Sequence, residues 1–220
     1  MKNKLLILIA FLSIGFVSCD LGDDPDIGGT ATQALAGEYF VQLFSEPGGD
    51  LYVDYTLVTI SNTAANTADK IRLKDDEHIW GFNSEFNANV NNRTFSGDVA
   101  PNALYSISEP AASPFQPIGT IDTAGTDFPK FMTITGGGVF LGEADVPSGT
   151  TADSVAFSAT AIYYANIFRV IAHEYDTVST NPLTIDTLSV FEFVSEYEDF
   201  QDGPYFLSGY RRTGFLEDEH

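Results

Sequence analysis

Apolar residues along this chain recur at every second position over several separate stretches, and no long stretch keeps them at helical spacing. Period-two alternation is the mark of strands with one buried and one wet face, so the pattern predicts a mostly β domain. The clearest case runs from Trp80 to Val90. Trp80, Phe82, Phe86, Ala88 and Val90 fall on one face, and Gly81, Asn83, Glu85, Asn87 and Asn89 on the other. Val155, Phe157, Ala159 and Ala161 alternate in the same way, as do Leu51, Val53, Tyr55 and Leu57. Shorter candidates are 39–44, 70–73, 131–135, 139–141, 167–173, 188–194 and 205–211, with Gly136, Gly137 and Gly138 read as a hairpin turn. Pro101, Pro110, Pro114, Pro117 and Pro129 exclude a central strand from their stretch, which reads as a long loop or an edge excursion over one barrel mouth. Many strands joined by short turns leave a sandwich or a closed barrel. Meander order favours an antiparallel up-and-down β-barrel of about 8 to 10 strands over residues 35–220.

The N-terminus departs from this pattern. Lys2 and Lys4 precede an unbroken apolar run from Leu5 to Leu12, followed by Val17, Ser18 and Cys19. A membrane-spanning helix needs about 20 apolar residues; this run is shorter and ends at a processing-like site, so residues 1–18 read as an export signal. Cys19 is the only cysteine, which rules out an intramolecular disulfide, and its place fits a thiol that accepts a lipid. Residues 19–34 include Asp20, Asp23, Asp24, Pro25, Asp26, Gly28 and Gly29, a composition that does not pack and predicts an acidic flexible tether. An acidic run after an acylated cysteine resembles the surface-export signal of some Gram-negative lipoproteins. The expected location is the outer membrane, anchored through the lipid on Cys19, with exposure at the cell surface.

Charge narrows the partners. The chain carries 31 acidic against 10 basic residues, a formal net charge of −21, and loss of Lys2 and Lys4 with the signal makes the remainder more negative. Such a surface lacks the basic footprint of a nucleic-acid binder and is repelled by anionic bilayers. No Gly-x-Ser-x-Gly elbow occurs, and His78, His173 and His220 are far apart in sequence, so no motif for a catalytic triad, a metal or an organic cofactor is found. His173, Glu174, Tyr175 and Asp176 gather titratable groups, but neighbours on a strand point to opposite faces and would not share a site. The acidic stretch from Asp23 to Asp26 lacks the spacing of a calcium loop. Thr123 and Thr177 lie in Asp-Thr-apolar triplets that match the O-glycosylation pattern of some Gram-negative bacteria.

Two segments carry a family likeness: Leu35 to Tyr39, opening the first strand, and Gly209 to Phe215, closing the last. With Asn62 to Thr67, leading into Trp80 and Phe82, they resemble the lipid-binding putative hydrolase family of bacterial lipoproteins. The resemblance implies a lipocalin- or calycin-like barrel whose interior can hold an apolar small molecule. Lipocalins open their first strand with Gly-x-Trp; here Gly37, Glu38 and Tyr39 stand instead. In a closed barrel, an aromatic on the first strand can be capped by a cation from the last, so Tyr39 is expected beneath Arg211 or Arg212. The alternative pairs these arginines with surface carboxylates such as Glu217 and Asp218.

The function read from these features is a membrane-anchored lipoprotein that binds a lipid or other small apolar or amphipathic molecule in a barrel cavity. Tyr55, Trp80, Phe82 and Phe157 are the candidate pocket residues. A hydrolase acting on such a ligand is an alternative, as is a surface module for glycans or proteins, marked by rim aromatics such as Tyr163, Tyr164, Tyr197 and Tyr205.

Overall fold

A computed structural model describes residues 29–75, 79–112, 115–180 and 183–220. The segment read as an export signal, Cys19, most of the acidic run and His78 lie outside the described residues. Nine strands follow in chain order: β1 (Gly37–Phe44), β2 (Leu51–Asn62), β3 (Lys70–Lys74), β4 (Asn83–Asn89), β5 (Thr94–Pro101), β6 (Ile121–Ala124), β7 (Phe131–Asp145), β8 (Thr151–Thr180) and β9 (Leu183–Arg211). All pairings are antiparallel, and each of β1 to β4 pairs with the next. β5 then pairs with β7, β7 with β8, and β8 with β9. β9 returns to β1, with Tyr39 opposite Arg211 and Leu43 opposite Leu207. The sheet therefore closes in a ring, an up-and-down barrel-like meander with β6 attached outside it along β8.

Closure turns the alternating side chains inward into one apolar cluster. Tyr39 and Val41 of β1, Ile71 and Leu73 of β3, Phe86 of β4, Ile134 of β7, Phe157 of β8 and Leu207 of β9 are all essentially inaccessible. Ring antiparallel pairing leaves the barrel no free edge, so the inner face is where burial stabilises it. A smaller cluster of Phe40, Val146, Ala152 and Tyr210, with Tyr55 and Leu57 against it, lies on the opposite face of the sheet.

Bulges account for where the strands differ from the sequence pattern. In β2, Val41 faces Thr56 but Leu43 faces Val53, so an extra residue enters β2 and the alternation changes phase. Val58 and Ile60 point into the core, whereas Tyr55 and Leu57 point away from it. Gly136 to Gly138 do not form a turn; they lie within the single strand β7, where the register against β8 slips between Thr135 and Gly138. Gly136 has φ of +63°, and a Cβ on Gly137 would stand 2.5 Å from the Phe95 ring. The glycines let β7 bend closely over that phenylalanine. The short candidates 167–173, 188–194 and 205–211 are parts of β8 and β9, two strands of 30 and 29 residues.

Beyond the barrel, β8 and β9 continue together as an arm, edged by β6 along residues 166–169 of β8. The proline-rich excursion packs along one face of it: Tyr105 donates its hydroxyl to Glu196 at 3.0 Å, and the Gln116 amide donates to the Ser189 hydroxyl at 2.9 Å. Lys130 pins the base of this loop, pairing with Glu196 while its ammonium lies 4.6 Å from the Tyr164 ring centre. These contacts bury Phe168 and Val170 on the covered face.

Candidate functional site

The two ends of the barrel are built differently. At the end where β1 begins, the chain makes a turn over 31–35 that seats Thr32 and Leu35, both wholly buried, across the opening. The folded unit thus takes in the last residues of the stretch read as tether. Tyr39 donates its hydroxyl to the Leu35 carbonyl at 2.9 Å. Directly opposite residues of an antiparallel pair share a face, so Arg211 follows Tyr39 inward, its guanidinium carbon 5.6 Å from the ring centre. Arg211 also donates to Asp153 at 2.8 Å and to the Ala36 carbonyl. A Cβ on Gly37 would stand 2.7 Å from the Arg211 Nε, which is why glycine opens this strand. Arg212 points the other way and pairs with Glu38 and Glu219 at the surface.

Arg211 therefore joins three elements while Arg212 joins exposed groups, and their replacements separate. Arg211→Met is expected to cost about 2 kcal/mol, the range for losing charge-assisted bonds in a partly screened site. Arg212→Met should leave the urea midpoint nearly unchanged. Equal midpoints for the two variants would remove the sealing role of Arg211.

The other end is aromatic. Trp80 and Phe82 are buried there with ring centres 6.3 Å apart. Trp80 stacks on Tyr205 at 6.1 Å, and Tyr205 meets Tyr52 edge-on at 5.6 Å. Asp202 faces Ala161 across the β8–β9 pair, on the inner face, and accepts the Trp80 indole N–H at 2.8 Å. Burial, reinforced by the charges of Asp202 and Asp75, pushes the Tyr163 hydroxyl up to about 12. It stays a neutral hydrogen-bond donor at any physiological pH. The Tyr205 hydroxyl is raised as well, first by its hydrogen bond with Asp202.

The inner wall does not stop at the mouth. Tyr163 faces Phe200 and Ala165 faces Tyr197 on β8 and β9, continuing the row of Ala159 and Ala161 onto the arm. Tyr163 and Phe200 stack with centres 4.6 Å apart. This is the face the proline-rich loop leaves uncovered, and Phe200 and Tyr52 remain 52% and 58% exposed. An apolar surface that starts inside a barrel and runs out along a ribbon is suited to an extended apolar group.

Of the pocket residues inferred from sequence, the structure brings Trp80 and Phe82 together at this mouth. Phe157 lies deeper, packed on Phe95 at 5.7 Å. Tyr55 is not among them. The β2 bulge turns it outward, where it stacks 4.0 Å from the His220 ring beside a depression of about 360 Å³. Asp202, Tyr52 and Phe200 escaped the sequence reading. Tyr163 and Tyr205, read as rim aromatics, pack partly buried against the core.

For hydrolysis, the pair to inspect is His173 and Ser189, which face each other on the arm. The imidazole Nε2 is bonded to the Gln116 carbonyl at 2.8 Å, and the Ser189 hydroxyl accepts the Gln116 amide. Both are held by the loop. The side chain of Asp176 lies outside the described residues.

A closed antiparallel meander, sealed at one end and aromatic at the other, defines the class of up-and-down barrel-like folds. Residues 24–216 match the family model described as lipid-binding putative hydrolase, and the chain belongs to that family. No curated protein matches its sequence.

Proposed function

We propose that this protein is a lipid-anchored protein of the outer membrane, exposed at the cell surface, whose barrel mouth takes a lipid or another amphipathic small molecule. The observation that carries the binding half is the apolar row running from Phe82 and Ala161 in the barrel to Tyr163, Phe200 and Tyr197 on the arm. The family description points the same way. The interior layers around Phe86, Phe95 and Phe157 are occupied by side chains, so the ligand engages the mouth and arm rather than a deep lumen. Anchoring rests on the signal-like N-terminus and Cys19.

Purified domain incubated with a lipid extract should retain defined species in native mass spectrometry, and Trp80→Ala with Phe200→Ala should reduce retention several-fold. An empty spectrum from the unaltered domain would sink the binding reading. The anchor has its own test: the mature N-terminal peptide is expected to begin at acylated Cys19, and an unmodified peptide starting elsewhere would remove it.

A further inference from the structure

The mouth combines aromatic walls with a carboxylate, and that combination selects a headgroup. Asp202 sits half-buried on the inner face between Trp80 and Tyr205, within the electrostatic reach of Tyr163. Its partners among the described residues are neutral donors, an indole N–H and a phenol, and no lysine or arginine there forms an ion pair with it. A carboxylate offers about four acceptor sites, so two neutral donors leave it able to take another partner. Beside it stand the rings of Trp80 and Tyr205, with Tyr52 packed on Tyr205 and Phe200 stacked on Tyr163. The face of an aromatic ring is negative, and a cation within about 6 Å of its centre is attracted to it. Carboxylate and rings therefore favour the same sign of charge at the same place.

We infer that the amphiphile bound at this mouth carries an ammonium headgroup, placed between Asp202 and the rings of Trp80 and Tyr205, with its chain along the Tyr163, Phe200 and Tyr197 face. This rests on the lipid-binding reading above and narrows it. A carboxylate or phosphate headgroup would meet Asp202 as a like charge, in a protein whose net charge is already −21. The long-range field alone would attract any cation anywhere on the surface. The Asp202 contact differs because it is local and partly shielded from salt.

Three probes sharing a twelve-carbon chain separate these effects: dodecylammonium, dodecanoate and dodecyl maltoside, all below their micellar concentrations. Binding is measured calorimetrically and by the emission of Trp80, the one tryptophan in the chain. The work is done in 0.5 M salt, where the screening length falls to about 4 Å. The cationic probe is expected to bind at least about 10-fold more tightly than dodecanoate and to shift Trp80 emission. Asp202→Asn, of the same shape, should reduce that preference to within about 3-fold. Asp98→Asn, an equal change of charge at an exposed position on β5, should leave it intact.

Should dodecanoate match the cation in the unaltered protein, or should Asp98→Asn erode the preference as much as Asp202→Asn, the headgroup inference fails while lipid binding stands. The comparison in the unaltered protein keeps the inference open to refutation even where Asp202→Asn does not fold. If none of the three probes binds and the lipid extract is also not retained, both the headgroup and the binding reading are overturned.

Discussion

Asp75→Ala is expected to destabilise the protein by about 3 kcal/mol or more and to loosen Trp80 from the mouth of the barrel. Asp75 is completely buried where the chain leaves β3. One of its oxygens accepts the Trp80 amide at 2.9 Å and the Gly81 amide at 3.1 Å, and the other accepts the Phe82 amide at 2.9 Å. Its own amide donates to the Phe82 carbonyl at 3.2 Å. One side chain thus holds the backbone donors of Trp80, Gly81 and Phe82, the turn that carries two of the mouth's largest rings. Alanine strands those donors inside the protein, and each buried unsatisfied group costs about 1 to 3 kcal/mol, partly recovered where water enters. Asp75→Asn retains one acceptor oxygen and should fall between alanine and the unaltered chain. Urea unfolding followed through Trp80 emission reads both the midpoint and the environment of the ring. A loss below about 1 kcal/mol for alanine would mean that the turn amides are already solvated. The emission of the folded variant should move to longer wavelength, because the indole would no longer be held against Tyr205 and Asp202.

The same turn shows what could be read from residues alone. From Asn83 to Asn89 the alternation runs without a bulge and Phe86 is buried as its spacing requires, whereas Trp80 and Phe82 are buried in the turn before the strand, where Gly81, expected on the wet face, has φ of +67° and is buried too. Val155, Phe157, Ala159 and Ala161 are likewise buried as their spacing requires. Tyr39 and Arg211 were pairable because closing a meander brings the first strand against the last, whatever lies between. Tyr55 was misplaced because a bulge has no composition of its own in β2, and one extra residue reverses every assignment beyond it. Gly136 to Gly138 misled for the related reason that a run of glycines serves a bulge as well as a turn. Asp202 was invisible: it stands among Asp199, Gln201, Gly203 and Pro204, residues that read as a surface turn, and only its pairing with Ala161 turns it inward. The arm was equally hidden, since polar residues interrupt its apolar row and suggest separate short strands. Local patterning reports which face a residue takes relative to its neighbours, whereas a site formed where distant strands cross depends on register, which bulges set.

Gly209→Ala is expected to open the barrel. Gly209 lies on β9 between Val41 of β1 and Val155 of β8, at the seam that closes the ring. A Cβ there would stand 1.8 Å from the Phe40 carbonyl oxygen and 2.7 Å from the Val41 Cα. Both are backbone atoms, so no side-chain rotation relieves the overlap, and β1 must move away from β9. Its neighbours on the inner face include Val41 and Leu207, both buried, so the movement would break ladder bonds and part packed residues together. Losses of this kind lie at the severe end for single substitutions, about 4 kcal/mol or more. Because β1 pairs with β9 and β2 only, separation at Gly209 leaves β1 as a free edge, and the variant should aggregate as well as unfold more easily. Gly48→Ala is the control. Gly48 has φ of +74° but an open site around it, so it should cost only about 1 kcal/mol from backbone strain. Hydrogen exchange would locate the damage, with fast exchange along Tyr39 to Phe44 in Gly209→Ala and protection retained there in Gly48→Ala. A Gly209→Ala protein that stays monomeric, with β1 amides as protected as before, would mean that the seam can shift to admit a methyl group, and the close backbone approach would lose its role in closing the ring.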